Sequence, residues 1–341
     1  MGKVRMADIA EHLGVSTVSV HNALSGQKGV SDELRDKIVK AADELGYRQR
    51  PAPAVNGKNG RSLKNVGVLI SEKFLASYTT TYYWKMYQEI VLAASDKNCI
   101  VAVEVLKHFG EDNRILPNLV TENAIEGLIV LGELDKDYLR FLKGKTEMPI
   151  IFLDFYDEEL ANDAVIGDGF YGMYLMTEYL YARGFRKMAY VGSIYEVSNI
   201  MDRYCGFYKS LTKHHLTLPP EWLIEDRIAH GDMSISLPDK LPEAFVCNCD
   251  LAAGMLIQEL ERRGLRVPED ISVVGFDNYL YPGFPDMRIT SYEVDTMAMS
   301  KVALEKVLKR LKKPPQGHSL DVISGRIVEK DSVKAIEPAD K

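Results

Sequence analysis

The chain predicts an N-terminal all-α headpiece followed by an α/β body of two doubly wound parallel-sheet lobes. Three observations carry that expectation. Residues 3–46 hold apolar side chains at helical spacing in three short runs. Residues 48–65 (RQRPAPAVNGKNGRSLKN) then lose all periodicity to Pro, Gly, Asn and basic residues, as a linker does. Beyond residue 66, short runs rich in Val and Ile alternate with helical stretches. A length of 341 residues also exceeds what one core usually serves, so several domains are expected.

The front segment justifies its helices in order. The first covers about residues 6–13, with Ile9, Ala10 and Leu13 on one face, and Gly14-Val15 break it. Ser16 stands where an N-cap belongs, its hydroxyl available to an orphan backbone N–H. The second helix, about residues 17–24, puts Val20, Ala23 and Leu24 on one side, leaving Thr17, Val18, His21 and Asn22 opposite. Ser31 caps the third, where Asp32 and Glu33 suit the positive helix end. Leu34, Ile38, Ala41 and Leu45 then recur at helical spacing before Gly46 closes the helix in a left-handed conformation.

The body reads as strands at 66–70, 100–106, 127–131, 149–154, 188–192, 244–249 and 271–277, with a helix near 84–97. Parallel sheets with both faces covered explain such near-continuous apolar runs. The expected domains are a headpiece at 1–50, a hinge at 51–65 and a core at 66–341. Its N-lobe takes about 66–165 and 297–325, and its C-lobe about 166–296 and 326–341.

Charge and composition bound the function. The net charge is −7, yet residues 1–65 carry +4 and the rest −11. A basic front end on an acidic body suits one small domain that meets phosphate while the rest stays off the duplex. No run of 18 apolar residues predicts a membrane span, and the mixed polar N-terminus lacks an export signal, so a cytoplasmic location is expected. The four cysteines read as free thiols; Cys247-x-Cys249 has no second pair or nearby His to complete a metal site. Neither metal nor cofactor is expected. No G-x-G-x-x-G after a strand, G-x-x-x-x-G-K-[ST], G-x-S-x-G or H-E-x-x-H appears, so the expectation is a regulator and not an enzyme.

The outward stripe of short side chains on the second helix is what a recognition helix presents to base edges in the major groove. Together with it, MADIAEHLGVS, VSVHNALSG and VSDELRDKIVKAADELGY resemble the headpiece of the lactose-repressor/galactose-repressor family. Asp8, Ile9, Ala10, Gly14, Val15, Ser16, Val20, Leu24, Glu44, Leu45, Gly46 and Tyr47 follow that family's pattern in order and spacing. The resemblance implies that Thr17 and Val18 discriminate operators, and that Ser16, Ser31 and Tyr47 contact or organise around phosphates. His21 and Asn22 replace the family's Ser and Arg. Asn22 has two readings: a bidentate contact to adenine where relatives read guanine, or a phosphate contact. The family's hinge helix carries a Leu wedge; here Gln49 and Arg50 replace Pro-Asn, Pro51 and Pro53 follow, and Asn56 replaces the Leu. Strong kinking of DNA is therefore not expected. Arg48, Arg50, Lys58, Arg61 and Lys64 remain to track phosphates and make binding salt-dependent.

Residues 66–334 resemble the periplasmic-binding-like core of the same family, through VGVLI, FLDF, VIGDGFYG, RYCGF, CNCDLAAG and RVPEDISVVGFDN. Ligands of open α/β sheets bind beyond the carboxyl ends of strands, where Asp154, Asp250 and Asp277 stand. Carboxylates accept from paired hydroxyls, Arg203 donates several hydrogen bonds, and Tyr82, Tyr83 and Trp84 are placed to stack on a sugar ring. Asp250 has a second reading as cap of the helix that follows it; Arg203 has one as partner of a structural carboxylate such as Asp202; and the aromatics have one as core. Cys249 and Gly169 stand where the family has Asn. The whole implies a homodimeric repressor reading a pseudo-palindromic double-stranded operator under control of a small sugar or polyol. The alternative is control by a protein partner such as a phosphocarrier, with no small-molecule effector.

Overall fold

The computed structural model describes residues 4, 6–24, 29–45, 47, 63–75, 80–160, 162–227, 233–282, 286, 288–313 and 317–334. The chain divides into two compact units, Met1–Leu63 and Lys64–Lys341.

In the first unit α1 (Met6–Leu13), α2 (Thr17–Leu24) and α3 (Asp32–Glu44) close over Ile9, Ala10, Val20, Ala23, Ile38, Ala41 and Ala42. The predicted caps are present. Gly14 has φ +65°, its N–H reaches the Glu11 carbonyl at 3.3 Å, and the Val15 N–H reaches that of Ala10 at 3.0 Å. That reciprocal pair is a Schellman ending, which needs the left-handed residue glycine supplies. Ser16 Oγ accepts from the Ser19 N–H at 3.0 Å, and Ser31 Oγ from the Leu34 N–H at 3.4 Å. The expected closing residue Gly46 and hinge residues 48–62 lie outside the described residues.

The second unit holds β1 (Lys64–Ser71), β2 (Cys99–Leu106), β3 (Gly127–Leu131), β4 (Ile150–Leu153), β5 (Asp163–Gly167), β6 (Met188–Val191), β7 (Leu223–Ile224), β8 (Ala244–Cys247), β9 (Ser272–Asp277), β10 (Thr290–Glu293), β11 (Leu320–Ile323) and β12 (Arg326–Val328). Its helices are α4 (Thr80–Ser95), α5 (His108–Asp112), α6 (Asn118–Thr121), α7 (Lys136–Lys145), α8 (Gly169–Ala182), α9 (Ser198–Lys213), α10 (Asp250–Arg262) and α11 (Thr296–Lys312). One sheet runs β11-β5-β4-β3-β1-β2 and the other β12-β10-β9-β8-β6-β7. The chain therefore crosses between sheets after β5, after β10 and between β11 and β12. Central strands β3, β4, β6 and β8 are buried throughout, as parallel strands covered on both faces must be.

Two parallel-sheet lobes are present as expected, and one edge strand adds a detail: β12 runs antiparallel to β10. Strands β5, β7, β10, β11 and β12 were not expected from sequence. β7 has two residues, and edge strands β11 and β12 have no fully buried residue, so neither carries a strong apolar signal. Among the described residues no helix is long and apolar enough to cross a membrane.

Two features of this scaffold aim side chains between the lobes. Asp154 follows β4 with φ +69°, and Asp277 ends β9 with φ +99°. Both are left-handed residues at the carboxyl ends of central strands, one from each sheet. Asp tolerates that conformation because its short polar group bonds locally, and such strain concentrates at functional positions.

Candidate DNA-reading face and interlobe ligand cleft

On α2, burial of Val20 and Ala23 turns Thr17, Val18 and His21 outward, and all three are exposed. Ser16, also exposed, is engaged as the cap and lies 2.9 Å from Ser19 Oγ. Ser31 is exposed at the start of α3, whereas Tyr47 is half-buried against the headpiece core with its N–H bonded to the Ala42 carbonyl at 2.8 Å. Asn22 departs from the expected stripe. It is half-buried, and a methyl group placed on Gly29 would stand 3.6 Å from its amide nitrogen. Arg35, from α3, donates to the carbonyls of Asn22 at 3.3 Å and Ala23 at 2.8 Å. These are orphan carbonyls at the carboxyl end of α2, so Arg35 fixes where the helix stops. Sequence reasoning missed Arg35, since a mid-helix arginine reads as an ordinary solvated charge.

In the body, Tyr82, Asp154, Arg203 and Asp277 converge from α4, the end of β4, α9 and the end of β9, and all four are buried. Arg203 Nη1 donates to the Asn248 carbonyl at 2.7 Å, Nη2 stands 3.4 Å from Asp277 Oδ1, and the guanidinium lies 4.2 Å over the Phe276 ring. The Tyr83 hydroxyl donates to Asp154 Oδ2 at 3.0 Å, and that of Tyr281 to Asp277 Oδ2 at 3.4 Å. Tyr82 meets Tyr279 edge-on at 5.6 Å. Three buried polar atoms here have no hydrogen-bond partner: Tyr82 Oη, Arg203 Nε and Asp277 Oδ1.

The electrostatics follow from burial. Desolvation pushes Asp154 up to about 6 and Asp277 up to about 7, although the Arg203 guanidinium draws both down. Burial also pulls Arg203 down, but the carboxylates of Asp277 and Asp154 outweigh it and hold the guanidinium above its ordinary value. One cation thus serves two buried carboxylates.

Two predicted cleft residues are engaged differently. Asp250 does not cap α10. Cys249 caps that helix, its Sγ accepting from the Ala252 N–H at 3.5 Å. Asp250 instead accepts from Ser291 Oγ at 2.7 Å and the Tyr279 N–H at 2.8 Å, binding β10 and the loop after β9 to α10. Gly275 makes room, because a Cβ there would sit 2.0 Å from Asp250 Oδ1. Trp84 is exposed on α4 and packs on Tyr87 at 5.1 Å, since its position one residue past Tyr83 turns it to the outer face. Burial pushes the Cys249 thiol up to about 12, and that of Cys247 upward as well, consistent with uncharged thiols.

Among the described residues, Tyr156 and Glu133 make hydrogen bonds that join the lobes. The Tyr156 hydroxyl donates to Asp202 Oδ1 at 3.1 Å, and Glu133 Oε2 accepts from Ser198 Oγ at 3.0 Å and its N–H at 3.1 Å. Asp202 therefore pairs with Tyr156, not with Arg203. The cavity between the lobes, lined by Asp154, Phe155, Ser198, Asp202, Arg203 and Phe276, has a volume of about 10 Å³. That is room for about one water molecule. Phe276, Tyr279 and Tyr281 flank Asp277 and were passed over in the sequence; aromatics spaced around a strand-ending carboxylate were their one signal.

Comparison with known proteins supplies the context for these two sites. Residues 5–49 match the family described as bacterial regulatory proteins, lacI family, and residues 177–333 match the periplasmic binding protein-like domain. The HTH-type transcriptional repressor PurR of Aliivibrio salmonicida is 25% identical over 317 residues, covering 89% of this chain and 91% of that protein. The ribose operon repressor of Haemophilus influenzae is 24% identical over 345 residues, covering 97% and 99%. The lac repressor dimer bound to operator and the anti-inducer ONPF superposes with a TM-score of 0.64 at 22% identity, over 97% of this chain and 99% of that one.

Proposed function

We propose that the chain is a DNA-binding transcriptional repressor of the lacI family, and that an uncharged sugar or polyol in the interlobe cleft sets its affinity for a pseudo-palindromic operator. The observation that carries this is a trio of buried atoms without a hydrogen-bond partner, Arg203 Nε, Tyr82 Oη and Asp277 Oδ1, the last held only by its 3.4 Å ion pair to Arg203 Nη2. A buried donor beside a buried acceptor is costly until both are paired. Two neighbouring hydroxyls pair both, one accepting from the guanidinium and the other donating to the carboxylate. Phe276, Tyr82 and Tyr279 supply apolar walls. A phosphorylated or carboxylated ligand would add negative charge to two carboxylates served by one guanidinium. The ribose operon repressor among the relatives accords with a sugar.

Effector control requires different affinities in two states, and opening of the water-sized space beside Arg203 to admit a sugar would provide them. The headpiece, residues 1–50, is assigned to the operator and 51–65 to the hinge. The lobes are assigned to 66–165 with 297–325 and 166–296 with 326–341. Asn22 is assigned to setting the end of α2, because its side chain is half-buried beside Gly29. A homodimer places two headpieces on half-sites about 34–36 Å apart. The exposed apolar side chains Val91, Leu92, Ile100 and Val105 on α4 and edge strand β2 suit a covering second copy.

The test is a thermal-shift and calorimetric screen of the full chain against pentoses, hexoses, polyols and their phosphates. The expected result is stabilisation by an uncharged compound, lost in Asp277→Asn and retained in Trp84→Ala. Stabilisation by phosphates alone, or by a hit indifferent to Asp277→Asn, overturns the reading.

A further inference from the structure

We propose that Val18 reads the 5-methyl group of a thymine in each operator half-site. The inference rests on the operator reading above and deepens it from a face to a base. Val18 is 65% exposed, the most exposed large apolar side chain among the described headpiece residues. Nothing in the fold asks for valine there. A β-branched residue in the first turn of an eight-residue helix lowers helix propensity, and this one covers no core. An isolated exposed valine is commonplace on a surface. What sets this one apart is its position in the helix that the headpiece presents outward, near the N-terminal end that reaches base edges in this motif.

Its surroundings narrow the partner. Thr17 and His21 beside it are polar, Ser16 is committed to the cap, and the basic segment 1–65 carries a net charge of +4. An isopropyl group neither donates nor accepts, so hydrogen-bond readout is closed to it. In the major groove the thymine methyl is the apolar feature that distinguishes one base pair from the others. A valine offered to that groove therefore discriminates through this methyl.

The experiment first selects a consensus site from random duplexes with the full-length protein. Thymines of the half-site are then replaced singly by deoxyuridine, which keeps every hydrogen-bonding group and removes the methyl. The expected result is one position where wild-type binding weakens about fourfold per half-site, the loss of one buried methyl-sized group. Val18→Ala binds the thymine and deoxyuridine sites equally. At the same position 5-methylcytosine binds the wild type more tightly than cytosine does. A wild type indifferent to every deoxyuridine, or a Val18→Ala protein that keeps the wild-type ratio, overturns the inference. A selection that returns no consensus at all removes the operator reading itself, and this inference with it. Val18 is exposed, so the variant folds as the parent does.

Discussion

The outward face of α2 and the cleft between the lobes prepare for their partners in opposite ways. Thr17, Val18 and His21 are exposed, whereas Tyr82, Asp154, Arg203 and Asp277 are 6–8% exposed. On the proposed reading the first set meets a large rigid partner, and its exposure costs the fold little. The second set has already lost its water and has not replaced every hydrogen bond, so part of its cost is present before any ligand arrives. It follows that substitutions on α2 change binding with little effect on stability, while substitutions in the cleft change both.

The largest break in that comparison comes from Arg203. Arg203→Ala leaves Asp154 and Asp277 buried without their cation. The expected loss at pH 8 is about 3–5 kcal/mol of unfolding free energy, the range for removing one partner of a buried ion pair. Thr17→Ala should stay within about 0.5 kcal/mol of wild type, as exposed substitutions do. Urea titration of both variants checks the contrast. At pH 5 the Arg203→Ala deficit should shrink, because protonated carboxyl groups no longer need the cation. A deficit that is absent at pH 8 would show the carboxylates neutral throughout.

The wild type carries the same signature more weakly. Asp154 and Asp277 sit at about 6 and about 7 in the fold against an ordinary 3.8, so the folded chain holds more protons than the unfolded one between those values. Their contribution to stability is fully present below about pH 4 and is lost as pH rises through 6 and 7. The slope limit is about 1.4 kcal/mol per pH unit for each carboxyl that is protonated only in the fold. Urea midpoints measured from pH 5 to 8 on wild type and Asp277→Asn separate this part from other titrations, since the Asn variant should lose less over that window. Equal slopes in the two proteins would contradict the burial argument for Asp277.

The same contrast explains what sequence alone revealed. The α2 face was legible because it is local: Val20 and Ala23 point in, so Thr17, Val18 and His21 point out, and Ser16 and Ser31 cap by position. The cleft is assembled from separate segments, each 49 to 74 residues from the next at Tyr82, Asp154, Arg203 and Asp277, and chain order names its carboxylates without showing which partners they choose. Asp250 and Asp277 both stand by strand ends, yet one accepts two internal hydrogen bonds and the other faces Arg203 with an oxygen that has no hydrogen-bond partner. Trp84 and Tyr83 are adjacent, and helical rotation sends one to water and the other to Asp154. The interlobe contact of Glu133 with Ser198 leaves no trace in either local pattern.

A smaller effect tests the headpiece on its own terms. Ser16→Ala removes the acceptor for the Ser19 N–H, which should cost the headpiece about 1 kcal/mol. Operator affinity should fall for every half-site sequence alike, because the cap holds the helix and selects no base. Binding titrations on the selected site and on single-base variants check this. A change confined to one base would instead make Ser16 a base reader.

The smallest expected effect separates Asp250 from its neighbour. Burial, reinforced by the Asp277 carboxylate, pushes Asp250 up to about 8, so its carboxyl is largely uncharged in the fold at neutral pH. Its oxygens face Ser291 Oγ, which can donate or accept, and the Tyr279 N–H, which can only donate. An asparagine keeps the Tyr279 contact through its carbonyl, and its amide donates to Ser291 Oγ, which also accepts from the Asn278 N–H at 3.0 Å and gives up the acceptor of its own proton. Asp250→Asn should therefore cost only about 1 kcal/mol at pH 7, the net worth of one hydrogen bond. It should also leave effector binding unchanged while Asp277→Asn abolishes it. Calorimetry on the two variants with the same ligand decides between them. If Asp250→Asn weakens binding as much as Asp277→Asn does, the ligand reaches behind β9, and the two carboxylates form one site.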